Sequence, residues 1–409
     1  MADGGDATGT PGRARLVARA ARLVAAAGAL GVSLLAVLEA PVSFLWKPAI
    51  AATELGHLVG AVALGLALAA LPGARRRSGR VALGLALAAA ALSTTPLLRA
   101  RPVARDLPAR LAAAFGEAAP RSFPDAPARP APLVPGDLLA IESPAVAVST
   151  HVYREVEGQT LRLDLYRREG ARDAAAAPDP VVLAIHGGSW RAGDRTQLPD
   201  AYRYLAARGH AVAAIDTRLA PRFPFPAARD DVRAAVAWLG AEAGAGRLGA
   251  VDASRIVLYG RSAGGHLALL VAYDAPDPAI RGVVALYAPS DLVWSWENPA
   301  NPLVHDSHGA LRDFLGGAPA DAPERYRAAS PLGFVRAGVP PTLLIHGGRD
   351  ELVRAEQSAR LAARLAAAGV PHLHLELPWA THGCEASLAG PSGQLTLYAV
   401  ERFLAAVAR

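Results

Sequence analysis

The residues of this chain best suited to chemistry fall in a few short segments. Gly260-Arg261-Ser262-Ala263-Gly264 sets a serine between two glycines, directly after the β-branched run Ile256–Tyr259 and before a helical pattern. Small flanking residues permit the sharp strand-to-helix turn that holds a serine hydroxyl clear of the backbone as a nucleophile. The plain alternative is a glycine-rich helix start with an incidental serine, and the companion segments weigh against it. His186-Gly187-Gly188-Ser189-Trp190 follows the run Val181–Ile185. Acyl transfer builds negative charge on a carbonyl oxygen, and glycines let backbone N–H groups approach that oxygen. Gly187 and Gly188, with the N–H of Ala263, are therefore the expected oxyanion donors. His186 is expected to organise that loop rather than act as the base, and Trp190 to wall the acyl pocket or serve packing alone.

A serine nucleophile needs a base, and the sequence holds 11 histidines. His382 stands out in Ala380-Thr381-His382-Gly383, after the last predicted strand and before the closing helical pattern. Asp350 holds the matching place one strand earlier, in His346-Gly347-Gly348-Arg349-Asp350, with Glu351 beside it and Asp291 further off as competitors. The order Ser262, Asp350, His382 is the one used by α/β-hydrolases.

On these segments, residues from about 148 to 409 resemble an α/β-hydrolase of the esterase/lipase group that includes hormone-sensitive-lipase-like and feruloyl-esterase-like enzymes. Asp216-Thr217-Arg218-Leu219-Ala220-Pro221 is similar to the family's D-Y-R-L-A-P, with Thr217 in place of tyrosine. Phe225-Pro226, followed by Asp230, Asp231 and Trp238, is similar to the family's next helix. Ser189 stands where many members have a third glycine, and Arg261 where many have an acid, which is expected to alter the charge around the nucleophile. The resemblance implies that Ser262 attacks an ester carbonyl while His382 takes its proton. Asp350 would orient His382, and water would hydrolyse the acyl-enzyme, with no metal or organic cofactor required. A serine peptidase or an acyltransferase needs the same residues. A non-catalytic, ligand-binding version of the fold predicts a damaged triad or oxyanion loop, and the sequence shows neither.

These residues must be positioned by a sheet. Strands are expected at Val152–Val156, Leu161–Tyr166, Val181–Ile185, Ala211–Asp216, Ile256–Tyr259, Val283–Tyr287, Thr342–Ile345 and His372–Leu377. Helical patterns separate the later ones, at Leu198–Ala207, Ala227–Ala241, Gly265–Tyr273, Ala355–Ala368 and Gln394–Ala408. Alternation of this kind implies a mostly parallel eight-stranded sheet covered on both faces, with the site at the carboxyl ends of the strands. Residues 289–340 make a long connection, expected to wall or lid the site, and they supply Trp294 as a pocket candidate. His305, Asp306 and His308 within it match no metal-ligand spacing well.

The first hundred residues have another texture. Apolar runs at Leu23–Trp46, Ala49–Leu71 and Val81–Leu98 meet the roughly 20 residues needed to cross a bilayer. At 52% hydrophobic and 19% charged, with mean hydropathy +0.23, the chain is too apolar to be disordered or wholly soluble. The net charge of +6 concentrates in this region: residues 1–110 hold 13 basic against five acidic side chains, leaving 29 and 31 for the remainder. The remainder therefore offers no basic face to nucleic acid. Arg13, Arg15, Arg19 and Arg22 precede the first run, and Arg75, Arg76, Arg77 and Arg80 follow the second. The positive-inside bias keeps both clusters cytoplasmic, so three spans place the catalytic domain on the extracytoplasmic side. Glu39, and Glu54 with His57, lie within the apolar runs. The latter two are three apart, as partners on one helix face would be. The expected organisation is a membrane region over 1–100, a proline-rich extended linker over 101–147 with at most a short helix near Arg105–Phe115, and a catalytic domain over 148–409. Cys384 is the only cysteine, which excludes an intramolecular disulfide. The expected partners are a small-molecule or lipid ester and the membrane.

Overall fold

A computed structural model describes residues 10–169 and 178–408. Four helices come first: α1 (Thr10–Leu34), α2 (Ser43–Glu54), α3 (Gly56–Ala70) and α4 (Arg77–Phe115). The sheet region follows as β1 (Val146–Val156), β2 (Gln159–Arg168), β3 (Asp179–Ile185), α5 (Pro199–Ala207), β4 (Ala211–Ile215), α6 (Ala227–Gly244), β5 (Val251–Arg261), α7 (Ala263–Asp274) and β6 (Ile280–Leu286). The insertion after β6 carries α8 (Leu292–Glu297), α9 (Ser307–Leu315) and α10 (Pro323–Ala328). The chain closes with β7 (Thr342–Gly347), α11 (Glu356–Ala367), β8 (His372–Leu377) and α12 (Pro391–Val407).

The eight strands form one sheet in the order β1-β2-β4-β3-β5-β6-β7-β8. Strand β2 runs antiparallel to β1 and β4, and every later pairing is parallel. Side chains alternate across a strand, so the continuous apolar run Val181–Ile185 feeds both faces. Val181, Leu183 and Ile185 pack with α6, α7 and α11, whereas Val182 and Ala184 pack with α5 and α12. A parallel sheet buried on both sides gathers its loops at the carboxyl edge, which is where the serine, acid and histidine loops emerge.

The N-terminal layer departs from the sequence reading in three ways. First, the helices long and apolar enough to cross a membrane are Arg13–Leu34, Gly56–Gly73 and Arg77–Phe115, not the runs as they stand in the sequence. The first run leaves helix after Leu34 and the second breaks at Leu55 (φ −108°, ψ 17°), so Trp46, Lys47 and Pro48 belong to the separate helix α2. Second, the extended linker begins only after Phe115. Helix α4 continues through Pro96, Pro102 and Pro108, and Leu107 and Leu111 are buried in the same core as Leu375 and Phe403. Each proline removes one backbone donor, and Thr95 Oγ1 donates at 2.6 Å to the Leu92 carbonyl that Pro96 leaves free. Tertiary burial thus outweighs the local cost. Third, Glu54 and His57 end up on different helices. Glu54 Oε2 accepts from the Ser392 N–H at 3.0 Å, and His57 Nε2 lies 2.8 Å from the Leu138 carbonyl oxygen. Glu39 is exposed in the connection between α1 and α2.

Candidate active site

Ser262 sits at the junction of β5 and α7 with φ +52° and ψ −119°, a left-handed-side conformation that an L-residue adopts only under constraint. The constraint is close packing. A Cβ on Gly260 would stand 2.5 Å from the Gly265 nitrogen, and one on Gly265 would stand 2.8 Å from the Ala288 side chain. The Ser262 N–H donates to the Leu286 carbonyl of β6 at 2.9 Å, which pins the turn to the sheet.

His382 lies in the loop between β8 and α12, and its Nδ1 meets Asp350 Oδ2 at 2.7 Å. Asp350 follows β7 directly, and its other oxygen accepts from the N–H groups of Leu352 (2.9 Å) and Val353 (2.8 Å). His346 Nε2 stands 3.2 Å from Asp350 Oδ2. Burial alone would raise the Asp350 carboxyl. The neighbouring His382 and His346 outweigh it and hold the group well below the ordinary range, so it is a carboxylate that orients His382. Of the two competitors, one is engaged elsewhere and the other makes no hydrogen bond among the described residues through its buried carboxylate. Asp291 caps α8 through the Trp294 N–H at 3.1 Å and pairs with Arg360 at 2.9 Å. Glu351 is buried, and that burial pushes its carboxyl up to about 7.

Gly188 has φ +123°, and Ser189 and Trp190 continue the reversal at +54° and +60°. This turn brings the loop against the nucleophile: a Cβ on Gly187 would stand 3.4 Å from that of Ser262. The Gly187 N–H, however, is already occupied. It donates to Gln197 Oε1 at 2.8 Å, so this glycine serves the loop's shape. The loop's donors left beside Ala263 are the N–H groups of Gly188 and Ser189. His186 is buried, with Nδ1 2.8 Å from the Gly187 carbonyl oxygen and Nε2 3.2 Å from Thr217 Oγ1, and burial pushes its pKa down.

Ser262 stands between two cavities. The smaller, about 50 Å³, is lined by Ser262, Ala263, Trp190, Trp294 and residues of the insertion. Trp190 stacks on Phe314 at 4.4 Å and donates to His266 Nδ1 at 3.1 Å, which holds its ring as a rigid wall. The larger, about 790 Å³, is lined by Ser262, His382, Gly187 and Gly188 on one side and by Trp46, Ile50, Glu54 and Leu55 of the N-terminal layer on the other. Arg261 reaches its edge but is only 2% exposed. Its Nε donates to Glu385 Oε1 and its Nη1 to the Tyr202 hydroxyl, both at 2.6 Å, so its charge is neutralised within the protein rather than offered to a substrate. His305 lines both cavities. Burial, and after it His382, pushes the His305 pKa down to about 4. His308 instead bonds the Trp296 carbonyl oxygen at 2.8 Å and Asp306 caps α9. No group of metal-ligating side chains occurs among the described residues. The residues that sequence reasoning missed are Gln197, which carries no local signal, and the wall residues of α2. A trace of α2 is visible in the sequence, where Pro48 and Glu54 interrupt an otherwise apolar run.

This arrangement, a strained serine after β5, an acid after β7 and a histidine after β8, defines the class of the protein. The BD-FAE family matches residues 163–365. Esterase LipC of Mycobacterium tuberculosis (strain ATCC 25618 / H37Rv) is 34% identical over 266 residues, covering 60% of this chain and 62% of LipC. Esterase LipI of the same organism is 31% identical over 245 residues, covering 57% of this chain and 69% of LipI. The propionate-bound thermophilic esterase of the planctomycete Thermogutta terrifontis aligns with a TM-score of 0.52 at 26% identity, covering 63% of this chain and 93% of its own. The chain belongs to this family of α/β-hydrolase esterases. It spans 62, 60 and 59% of the length of LipC, LipQ and LipM, all three from that organism.

Proposed function

We propose that the protein is a membrane-anchored serine hydrolase that cleaves carboxylic esters through Ser262, His382 and Asp350. The observation that carries this reading is that the strained Ser262 turn shares a cavity with His382, whose ring Asp350 fixes at 2.7 Å. Ser262 Oγ adds to the ester carbonyl while His382 takes its proton. The oxyanion is held by N–H groups of Ala263, Gly188 and Ser189, and His382 then protonates the departing alkoxide. Water, activated by the same histidine, hydrolyses the acyl-enzyme and releases the acid.

In this reading residues 1–100 are the membrane region, residues 148–409 the catalytic domain, and α1, α3 and the first half of α4 the three spans. The arginines before α1 and around the α3–α4 turn stay in the cytoplasm, which puts the catalytic domain on the outer side. A topology reporter fused after Arg409 is expected to read as extracytoplasmic; a cytoplasmic signal defeats the three-span arrangement. The catalytic reading is tested on the full chain in detergent or nanodiscs, with p-nitrophenyl acetate and a serine-reactive fluorophosphonate. Hydrolysis and labelling that both vanish in Ser262→Ala are expected. A folded wild-type protein that does neither overturns the esterase reading.

A further inference from the structure

The two cavities beside Ser262 differ in volume by more than tenfold, about 50 against about 790 Å³, and in whether the histidine reaches them. His382 lines the larger and is absent from the lining of the smaller. In ester cleavage the histidine delivers its proton to the leaving oxygen, so that oxygen must come within hydrogen-bond reach of His382. The alcohol therefore departs on the His382 side. The carbonyl oxygen is claimed by the backbone donors, and the remaining substituent, the acyl chain, is left with the pocket between Ala263, Trp190 and Trp294. That pocket is the smaller of the two by more than tenfold, so of the two substituents it takes the shorter.

The larger cavity owes a wall to the N-terminal layer. Trp46, Ile50 and Leu55 face Leu198, Val304 and Leu352 across it. Helix α2 is fastened onto the triad loops. Trp46 Nε1 donates to the His382 carbonyl oxygen at 3.3 Å, and Ile50 Cδ1 lies 3.1 Å from where a Cβ on Gly383 would stand. Glu54 accepts from the Ser392 N–H at the start of α12. Arg349, the residue before Asp350, donates to the carbonyl oxygens of Ala36 (2.6 Å), Leu35 (3.1 Å) and Leu38 in the segment leading to α2. That helix also lies between two candidate spans, one ending at Leu34 and the next starting at Gly56. Beside the cavity, the Ser43 N–H donates to the Leu303 carbonyl oxygen at 2.9 Å, and the neighbouring side chains of Phe44 and Leu303 are 75 and 67% exposed. Large apolar side chains standing free next to an apolar cavity and two spans mark a surface that meets lipid.

From this geometry we infer the substrate class: a short-chain acyl ester of a long, lipophilic alcohol, with the alcohol held in the α2-walled cavity and supplied from the bilayer. The inference rests on Ser262 and His382 acting as nucleophile and base. The balanced reaction is ester plus water giving a short carboxylic acid and the lipophilic alcohol. The acyl C–O bond to the alcohol breaks, the alkoxide leaves with the proton from His382, and water supplies the hydroxyl of the acid.

Two isomeric esters separate the sides: dodecyl acetate carries its chain on the alcohol, and ethyl dodecanoate carries it on the acyl group. With the full chain in nanodiscs, kcat/KM for dodecyl acetate is expected to exceed that for ethyl dodecanoate by about tenfold or more. Ile50→Trp, which fills the α2 side, is expected to lower kcat/KM for dodecyl acetate at least about fivefold more than for p-nitrophenyl acetate. Fluorophosphonate labelling of Ser262 reports that this variant is folded. Equal rates on the two isomers, a preference for ethyl dodecanoate, or an Ile50→Trp loss of the same size on both acetates overturns the inference while the esterase reading stands. Failure of wild type on p-nitrophenyl acetate together with absent labelling overturns the esterase reading, and this inference with it.

Discussion

The sheet domain and the N-terminal helices solve the packing problem by opposite means. In the sheet domain large apolar side chains are inside. Leu183, Ile185 and Leu258 are fully buried, and glycines near the nucleophile are jammed against backbone. In the helical layer the buried positions are small, such as Ala63, Ala86 and Ala89, while Leu16, Val24, Val62, Leu64, Leu68 and Leu87 are exposed. Helices α3 and α4 meet through Gly56 and Gly60 against Ser93 and Thr94, and Ser33 bonds Ser93 across helices at 2.7 Å. Small residues inside and large apolar ones outside is the arrangement expected where the surrounding medium is lipid, because there the gain comes from close backbone approach rather than from burial away from water.

The comparison implies that chemistry belongs to the first region and access to the second. The largest expected effect is Ser262→Ala, a loss of about 10⁶-fold in kcat. Asp350→Asn keeps the shape but not the orientation of His382 and is expected to cost about 10⁴-fold, measured in the same p-nitrophenyl acetate assay. A comparable loss from Glu351→Gln would instead move the triad acid to the neighbouring residue. The next effect is structural. Gly260→Ala drives a methyl group into the Gly264–Gly265 backbone and is expected to cost about 3 kcal/mol or more, read as a fall in thermal midpoint with loss of labelling. A silent Gly260→Ala would show the turn to be less tightly held than its contacts imply.

The same divide explains what the sequence disclosed. All eight strands and the five expected helices appear at their patterns, because a sheet buried on both faces writes its apolar runs plainly, although β1 and β5 begin at Val146 and Val251, well before the expected Val152 and Ile256. Ser262, Asp350 and His382 were legible because each follows a strand, and strand ends fix where a loop must emerge. In the helical layer composition said only that the segments are apolar. Where helix gives way near Leu34 and at Leu55, and that α2 turns inward to wall the cavity, depends on contacts such as Arg349 to Ala36 and Glu54 to Ser392, which are more than 300 residues apart in sequence. Helix α4 misled for a related reason. Three prolines argue against helix locally, yet Leu107 and Leu111 gain burial against β8 and α12 that no local rule includes.

A pH dependence sharpens the comparison at the seam between the two regions. Glu351 adjoins the segment leading into α2, and burial raises its carboxyl from 4.5 to about 7. Between those values the folded state binds more protons than the unfolded chain, so stability is full below about 4.5 and declines as pH rises through 7. The shift corresponds to roughly 3 kcal/mol. The thermal midpoint of wild type is therefore expected to fall from pH 5 to pH 8 relative to Glu351→Gln, which lacks the titration. Parallel curves for the two proteins would mean that Glu351 stays near its ordinary carboxylate range.

The smallest expected effect is also the most direct probe of the helical layer. Gly65 on α3 and Gly84 on α4 have nothing within 4 Å of where a Cβ would stand, whereas a Cβ on Gly56 would meet the Ser93 backbone. Helices α3 and α4 touch along the face that carries Gly56, Gly60, Ala63 and Ala67, and Gly65→Ala and Gly84→Ala add their methyl groups away from that contact. Each should then be neutral or stabilise by up to about 1 kcal/mol through helix propensity. Gly56→Ala should destabilise, because it pushes two helices apart at a backbone contact and tilts the α2 wall that ends two residues earlier. Thermal midpoints in one detergent check the set, and p-nitrophenyl acetate turnover adds a second readout. Destabilisation by Gly65→Ala or Gly84→Ala would reveal a partner on that face, and the contrast between a self-packed domain and a lipid-packed one would then no longer hold.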